Sequence, residues 1–206
     1  MSKSNTEKRI IRIYTDGSAN QAGKTQAPGG WAYIILVKEN GDNYFIAKKV
    51  GFDGEDNTTS QRMELTAIKE ALLKANASYL KKPKDGQKKE QIVELFTDLK
   101  ANAGILRKIC KDSDGVCQIE KKEHLKQLEY ENLDLLNKIL ETIRKIECKV
   151  DILTVEWIPG HPEKRMNDKS IDAKTKSDLI KLAVHFPFIG IVDALAVQAR
   201  EAIEEK

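Results

Sequence analysis

Ile10-Ile11-Arg12-Ile13-Tyr14-Thr15-Asp16-Gly17-Ser18 carries the first decision about the fold. Its apolar run from Ile10 to Thr15 reads as a short β-strand, and Asp16-Gly17-Ser18 reads as the turn that cuts it. Beyond a loop rich in Gly, Gln and Pro, Gly30-Trp31-Ala32-Tyr33-Ile34-Ile35-Leu36-Val37 has the continuous apolar character of a buried strand. Asn40-Gly41-Asp42 is a hairpin signal and Tyr44 to Val50 pairs back, so the first three strands are expected to be antiparallel. A helix follows from about Ser60 to Tyr79, with Leu65, Ile68, Leu72 and Ala75 at helical spacing, and Pro83, Asp85 and Gly86 break it. Gln91 to Thr97 is the fourth strand, and a β-helix-β crossover of this length implies parallel pairing.

Further on, Ala101 to Cys110 is expected to be helical and Lys111 to Gly115 a polar loop. Glu123 to Cys148 carries one apolar stripe through Leu125, Leu128, Leu133, Leu136, Ile139, Leu140 and Ile143. Asp151 to Ile158 is the fifth strand, closed by Pro159-Gly160, and the remainder is helical in two pieces separated by Pro187 and Gly190. The expected fold is α/β: a five-stranded mixed sheet, three antiparallel strands and then parallel ones, flanked by helices. It is read as one domain over residues 1–206, with 1–8 flexible and 166–206 a helical C-terminal part containing an insertion.

At 206 residues, 40% hydrophobic and 33% charged, the chain can bury a substantial core. No apolar run approaches the ~20 residues that span a bilayer, and the polar start, Met1 to Arg9, lacks the apolar block of a secretion signal. No membrane association, a cytoplasmic location and a monomer are therefore expected. Cys110, Cys117 and Cys148 are few and odd in number, which favours reduced thiols, and no His lies near the first two to complete a zinc site. The net charge of +3 does not by itself indicate nucleic acid. Lys81, Lys82, Lys84, Lys88 and Lys89, with Lys121, Lys122 and Lys126, each read as solvated loop lysines; as a set beside a carboxylate site they suit phosphate tracking.

Three acidic residues stand in distinctive frames: Asp16 at the end of the first strand, Glu64 in Thr59-Ser60-Gln61-Arg62-Met63-Glu64-Leu65 in the first turns of a helix, and Asp98 in Glu94-Leu95-Phe96-Thr97-Asp98. Hydrolysis of a phosphodiester needs an activated water and neutralisation of the leaving oxygen. Two Mg²⁺ ions roughly 4 Å apart serve both needs, and they prefer carboxylate oxygens. Carboxylates that close repel one another, so such a cluster implies a cation. Each residue also has a plainer reading, as a turn Asp, a helix-start carboxylate and a helix cap.

Taken in order, Tyr14-Thr15-Asp16-Gly17-Ser18, Gly29-Gly30-Trp31, Asn57-Thr58-Thr59 with Arg62-Met63-Glu64-Leu65, Thr97-Asp98 and Trp157-Ile158-Pro159-Gly160-His161 resemble type 1 ribonuclease H over nearly the whole chain. The resemblance implies the ribonuclease H-like fold and an endonuclease that cuts the RNA strand of RNA–DNA hybrids, leaving 5′-phosphate and 3′-hydroxyl ends. It implies two Mg²⁺ ions, for which Mn²⁺ substitutes, held by Asp16, Glu64 and Asp98, with His161 on a loop assisting proton transfer or product release. A fourth carboxylate is divided among three candidates. Asp193, in Val192-Asp193-Ala194-Leu195-Ala196, has the packing face but lies late; Asp172 and Asp168 have the better distance from His161. The sequence leans to Asp193, then Asp172. Asn20, Ser60, Gln61 and Arg62 match hybrid-contacting positions, Arg62 to hold a phosphate or the site's own carboxylates. The family's basic, Trp-bearing handle is not recognisable in residues 107–131, and Leu99 follows Asp98 where the family has Ser. Two other readings remain open: an inactive hybrid-binding module, and a DNA nuclease or strand-transfer enzyme on the same fold.

Overall fold

A computed structural model describes residues 7–20, 27–81, 89–111, 114–160, 166 and 172–205. Five strands, β1 (Glu7–Ala19), β2 (Ala27–Lys38), β3 (Ile46–Thr58), β4 (Lys89–Thr97) and β5 (Ile152–Trp157), form one sheet in the order β3-β2-β1-β4-β5. β1 is antiparallel to β2 and β2 to β3, whereas β1–β4 and β4–β5 are parallel. Among the described residues, the helices are α1 (Ser60–Ser78), α2 (Lys100–Ile109), α3 (Lys122–Gln127), α4 (Leu133–Glu147), α5 (Ala173–Leu182) and α6 (Phe186–Glu204), with a 3₁₀ turn, Ala183–His185, between the last two.

Side chains alternate across a strand, and the core divides accordingly. Ile11, Ile13, Ile35, Val93, Leu95 and Val155 pack with α1, α2 and α4 on one face. Tyr14, Ala32, Ile34 and Phe96 pack with Leu179, Phe186, Ile189, Val192 and Ala196 on the other. The stretch Ala173–Glu204 is long and apolar enough by composition to cross a bilayer, contrary to the expectation from sequence. Within the fold, Phe186, Ile189, Val192, Ala196 and Ala199 of that stretch are buried. Gly30 makes this close packing possible, because a Cβ there would fall onto the Ala196 carbonyl and the Ala199 side chain.

Several boundaries move from their sequence-based positions. Asp16-Gly17-Ser18 is strand rather than turn: β1 continues to Ala19, pairing Asp16 with Ala32, Gly17 with Trp31 and Ser18 with Gly30. β3 likewise runs on to Thr58. The single helix expected from Glu123 to Cys148 is two, because Glu129 (φ 51°) and Asn132 (φ 55°) adopt the left-handed conformation between α3 and α4. Pro187 does not divide the C-terminal helices. It lies in the first turn of α6, where its missing N–H costs nothing, and the helix continues through Gly190. The cysteines are free thiols. Burial pushes the Cys110 thiol up to about 12, and Arg144 Nη2 donates to Cys117 Sγ at 2.7 Å and to the Ile109 and Ile119 carbonyls at 2.7 and 2.9 Å.

Candidate active site

The sheet register brings the first two carboxylates together. Thr15 pairs with Thr97 across the parallel β1–β4 ladder, so the next residues, Asp16 still within β1 and Asp98 just past the end of β4, come side by side. Thr15 Oγ1 donates to the Phe96 carbonyl at 3.2 Å, and Trp157 Nε1 donates to the Asp98 carbonyl at 2.7 Å, fixing the backbone below the pair.

Glu64 arrives from α1. Thr59 caps that helix by accepting from the Arg62 N–H at 3.2 Å, and Glu64 lies in its second turn. The helix can approach β1 only because residue 17 is glycine: a Cβ at Gly17 would fall inside the backbone of Met63 and Glu64. Gly160 is a contributor that the sequence reading missed. A Cβ there would stand 2.6 Å from Asp98 Oδ2, so the chain after β5 closes directly over this carboxylate. The Pro-Gly dipeptide suggested only a turn.

One oxygen from each of Asp16, Glu64 and Asp98 lies within 4.8 Å of the other two. Burial raises the Asp16 carboxyl well above the usual carboxylate range, and the charges of Asp98 and Asp193 add to this, against stabilising hydrogen bonds from Glu64 and the Gly17 N–H. Glu64 is raised by burial and then by the charges of Asp16 and Asp98. Asp98 is raised by burial and then by Asp193. Without a cation, burial and mutual repulsion disfavour three simultaneous negative charges in the cluster. Among the described residues, Glu64 Oε2 is buried with no hydrogen-bond partner. A hard divalent cation would satisfy that oxygen and offset the mutual repulsion, so the donor set fits an ion of that class.

Asp193, half-buried on α6, faces the cluster closely enough for its charge to act on both Asp16 and Asp98. Asp172 does something else. It caps α5, accepting from the Thr175 N–H at 2.8 Å and the Thr175 hydroxyl at 2.9 Å, and its exposed carboxyl is held below the usual range by those bonds. His161 and Asp168 lie outside the described residues, as do Lys82, Lys84 and Lys88.

Among the hybrid-contacting candidates, Ser60 and Gln61 are partly exposed in the first turn of α1. Asn20 Nδ2 donates to Glu204 Oε1 at 3.1 Å. Arg62 departs from expectation: its guanidinium grips Asp134 in two bonds of 3.0 and 2.7 Å, with Asn132 Oδ1 at 3.4 Å. A bidentate pair commits the planar fork, so Arg62 ties α1 to the start of α4 rather than holding the site's carboxylates.

The signature of the RNase H family matches residues 8–179. The chain belongs to the ribonuclease H family. It is thus a nuclease, a phosphodiester hydrolase. The ribonuclease H of Caldicellulosiruptor saccharolyticus is 33% identical over 158 residues, covering 77% of this chain and 88% of that one. The ribonuclease H of Ehrlichia ruminantium is 28% identical over 175 residues, 83% and 95% of the two chains. Among solved structures, LC9-RNase H1, described as a type 1 RNase H with the type 2 active-site motif, superposes with a TM-score of 0.60 at 16% identity, covering 98% of this chain and 75% of that one, which bears on the fold. The family match stops at residue 179, short of Asp193; only the folding of α6 brings that carboxylate to the cluster.

Proposed function

We propose that this ribonuclease H is an endonuclease that cuts the RNA strand of RNA–DNA hybrids by two-ion catalysis, with Asp16, Glu64, Asp98 and Asp193 as the ligands of Mg²⁺, which Mn²⁺ can replace. The observation that carries this reading is a mutually repelling trio of carboxylates, two buried and one half-buried, with a Glu64 oxygen that has no hydrogen-bond partner among the described residues. Bound divalent ions supply a nucleophilic water and neutralise the charge that develops on the leaving oxygen. Asp16 and Asp98, held side by side by adjacent strands, define the positions of the ligand oxygens, and Gly17 and Gly160 keep Glu64 and the loop after β5 tight against them. Asp193 adds a fourth charge from the opposite face of the sheet.

His161 would take or return the proton at the leaving 3′-oxygen, so that products carry 5′-phosphate and 3′-hydroxyl ends. Gln61 stands one turn before Glu64 on the same helix, and with Ser60 it suits contact with the 2′-hydroxyl edge that marks the RNA strand. Contacts of this kind carry no base information, so cleavage should be largely independent of sequence.

The test is incubation of the protein with labelled RNA–DNA hybrid, duplex DNA and duplex RNA in millimolar Mg²⁺. Internal cuts confined to the hybrid's RNA strand are expected. Hybrid bound but left intact would establish an inactive binding module, and equal cutting of duplex DNA would overturn the substrate assignment. Asp193→Asn should lose cleavage while Asp172→Asn retains it; the reverse result would transfer the fourth-ligand role.

A further inference from the structure

β3 is an edge of the sheet with an unusual distribution of side chains. Almost every residue from Ile46 to Asp53 is exposed, including Ile46, Val50 at 41% and Phe52 at 54%. Val50 and Phe52 pair with Ile34 and Ala32, which belong to the core beneath α6, so both lie on the α6 face but are left uncovered by it. Charge is polarised along the same strand: Lys48 and Lys49 stand before Phe52, and Asp53, Glu55 and Asp56 follow it. Among the described residues, Lys48, Lys49 and Asp56 have no ion-pair partner within the chain, Asp53 accepts from the Gly54 N–H at 2.8 Å, and Glu55 faces Arg62.

We propose that this edge is the contact between two copies of the chain, which form a symmetric dimer by antiparallel β3–β3 pairing. Charges on an open strand ordinarily deter edge-to-edge association. Their order here gives a direction instead. A parallel approach would set lysine against lysine and acid against acid. An antiparallel approach centred on Phe52 sets Lys49 opposite Glu55 and Lys48 opposite Asp56, twice over by symmetry, with Phe52 meeting its own copy across the axis. A two-fold perpendicular to the sheet keeps like faces together, so Val50 and Phe52 of both copies cover one another, and one sheet runs through both protomers. β2 separates β3 from β1, so each copy keeps its complete carboxylate cluster. Its readout is mass rather than cleavage.

Sedimentation velocity over a concentration series tests this at low and high salt. The unaltered protein should pass from monomer to dimer, more weakly as salt screens the pairs. Lys48→Glu with Lys49→Glu, and separately Glu55→Lys with Asp56→Lys, should each raise the dimer dissociation constant by at least about tenfold. Mixing these two oppositely charged variants should restore a mixed dimer. A protein that stays monomeric throughout, or charge-reversed variants that dimerise as tightly as the original, would overturn the proposal. A variant less sensitive to misfolding is Phe52→Cys in a Cys148→Ser background. Mild oxidation should give a disulfide-linked dimer on a non-reducing gel, and failure to cross-link would count against Phe52 on the axis.

Discussion

Glu64 shows how a single residue is held at odds with the fold it belongs to. It is buried, its carboxyl is raised by that burial and by the charges of Asp16 and Asp98, and among the described residues one of its oxygens has no hydrogen-bond partner. The three raised carboxyls are most favourable to folding in acid. Their contribution is complete below the ordinary carboxylate range, about 4, and is lost as pH rises through the elevated folded-state values. In EDTA the melting temperature of the original protein should therefore fall from pH 5 to 8 relative to Glu64→Gln, measured by circular dichroism. Near neutral pH Glu64→Gln should be the more stable of the two and yet lose at least about a thousandfold in cleavage rate. His185 runs the other way. Burial and then the Arg12 charge lower its pKa, and it shares a 2.8 Å hydrogen bond with Tyr14 Oη. Its stabilising contribution is present above the usual histidine range and disappears as pH falls through the depressed value. His185→Phe should cost about 1–3 kcal/mol at neutral pH, through the orphaned Tyr14 hydroxyl, and should flatten the acid limb of the stability profile.

Among the elements, α6 contributes most to the site from furthest along the chain. Its register on the sheet is set by contact at Gly30, and on the neighbouring strand by Gly54 against Ala199 and Ile203. Gly30→Ala should lift the helix, destabilise the protein by about 1–3 kcal/mol through overpacking, and slow cleavage more than it weakens hybrid binding, because Asp193 moves while the substrate-facing turn of α1 does not. Separate measurement of kcat and KM checks this. The strands and α1 were legible in the sequence because their apolar periods are undisturbed, as in Leu65, Ile68, Leu72 and Ala75. Asp16-Gly17-Ser18 was misread as a turn because its local chemistry favours turns, whereas pairing with Trp31 and Gly30 keeps it extended. The break between α3 and α4 was missed for a related reason: the apolar stripe continues across it, and left-handed Glu129 leaves no mark in hydropathy.

For the whole molecule, cation binding and folding are linked. Divalent ions that bind only the native cluster should raise the melting temperature with concentration, and the rise should vanish in Asp16→Asn; a persistent rise would place the ions elsewhere. Ending the chain after residue 179, where the family match stops, removes α6 and uncovers Tyr14, Ile34 and Phe96. Such a chain should lose cooperative unfolding as well as activity. The sequence by itself determined the order of strands and helices, the family, and the identity of the first three acids, because local periodicity and short motifs are written in consecutive residues. Tertiary structure alone decided that the Asp193 charge reaches Asp16 and Asp98, that Asp172 caps α5, that Arg62 pairs with Asp134, and that Gly160 closes over Asp98. Each of these depends on which surfaces meet across the sheet, and that is set by packing between segments far apart in the chain.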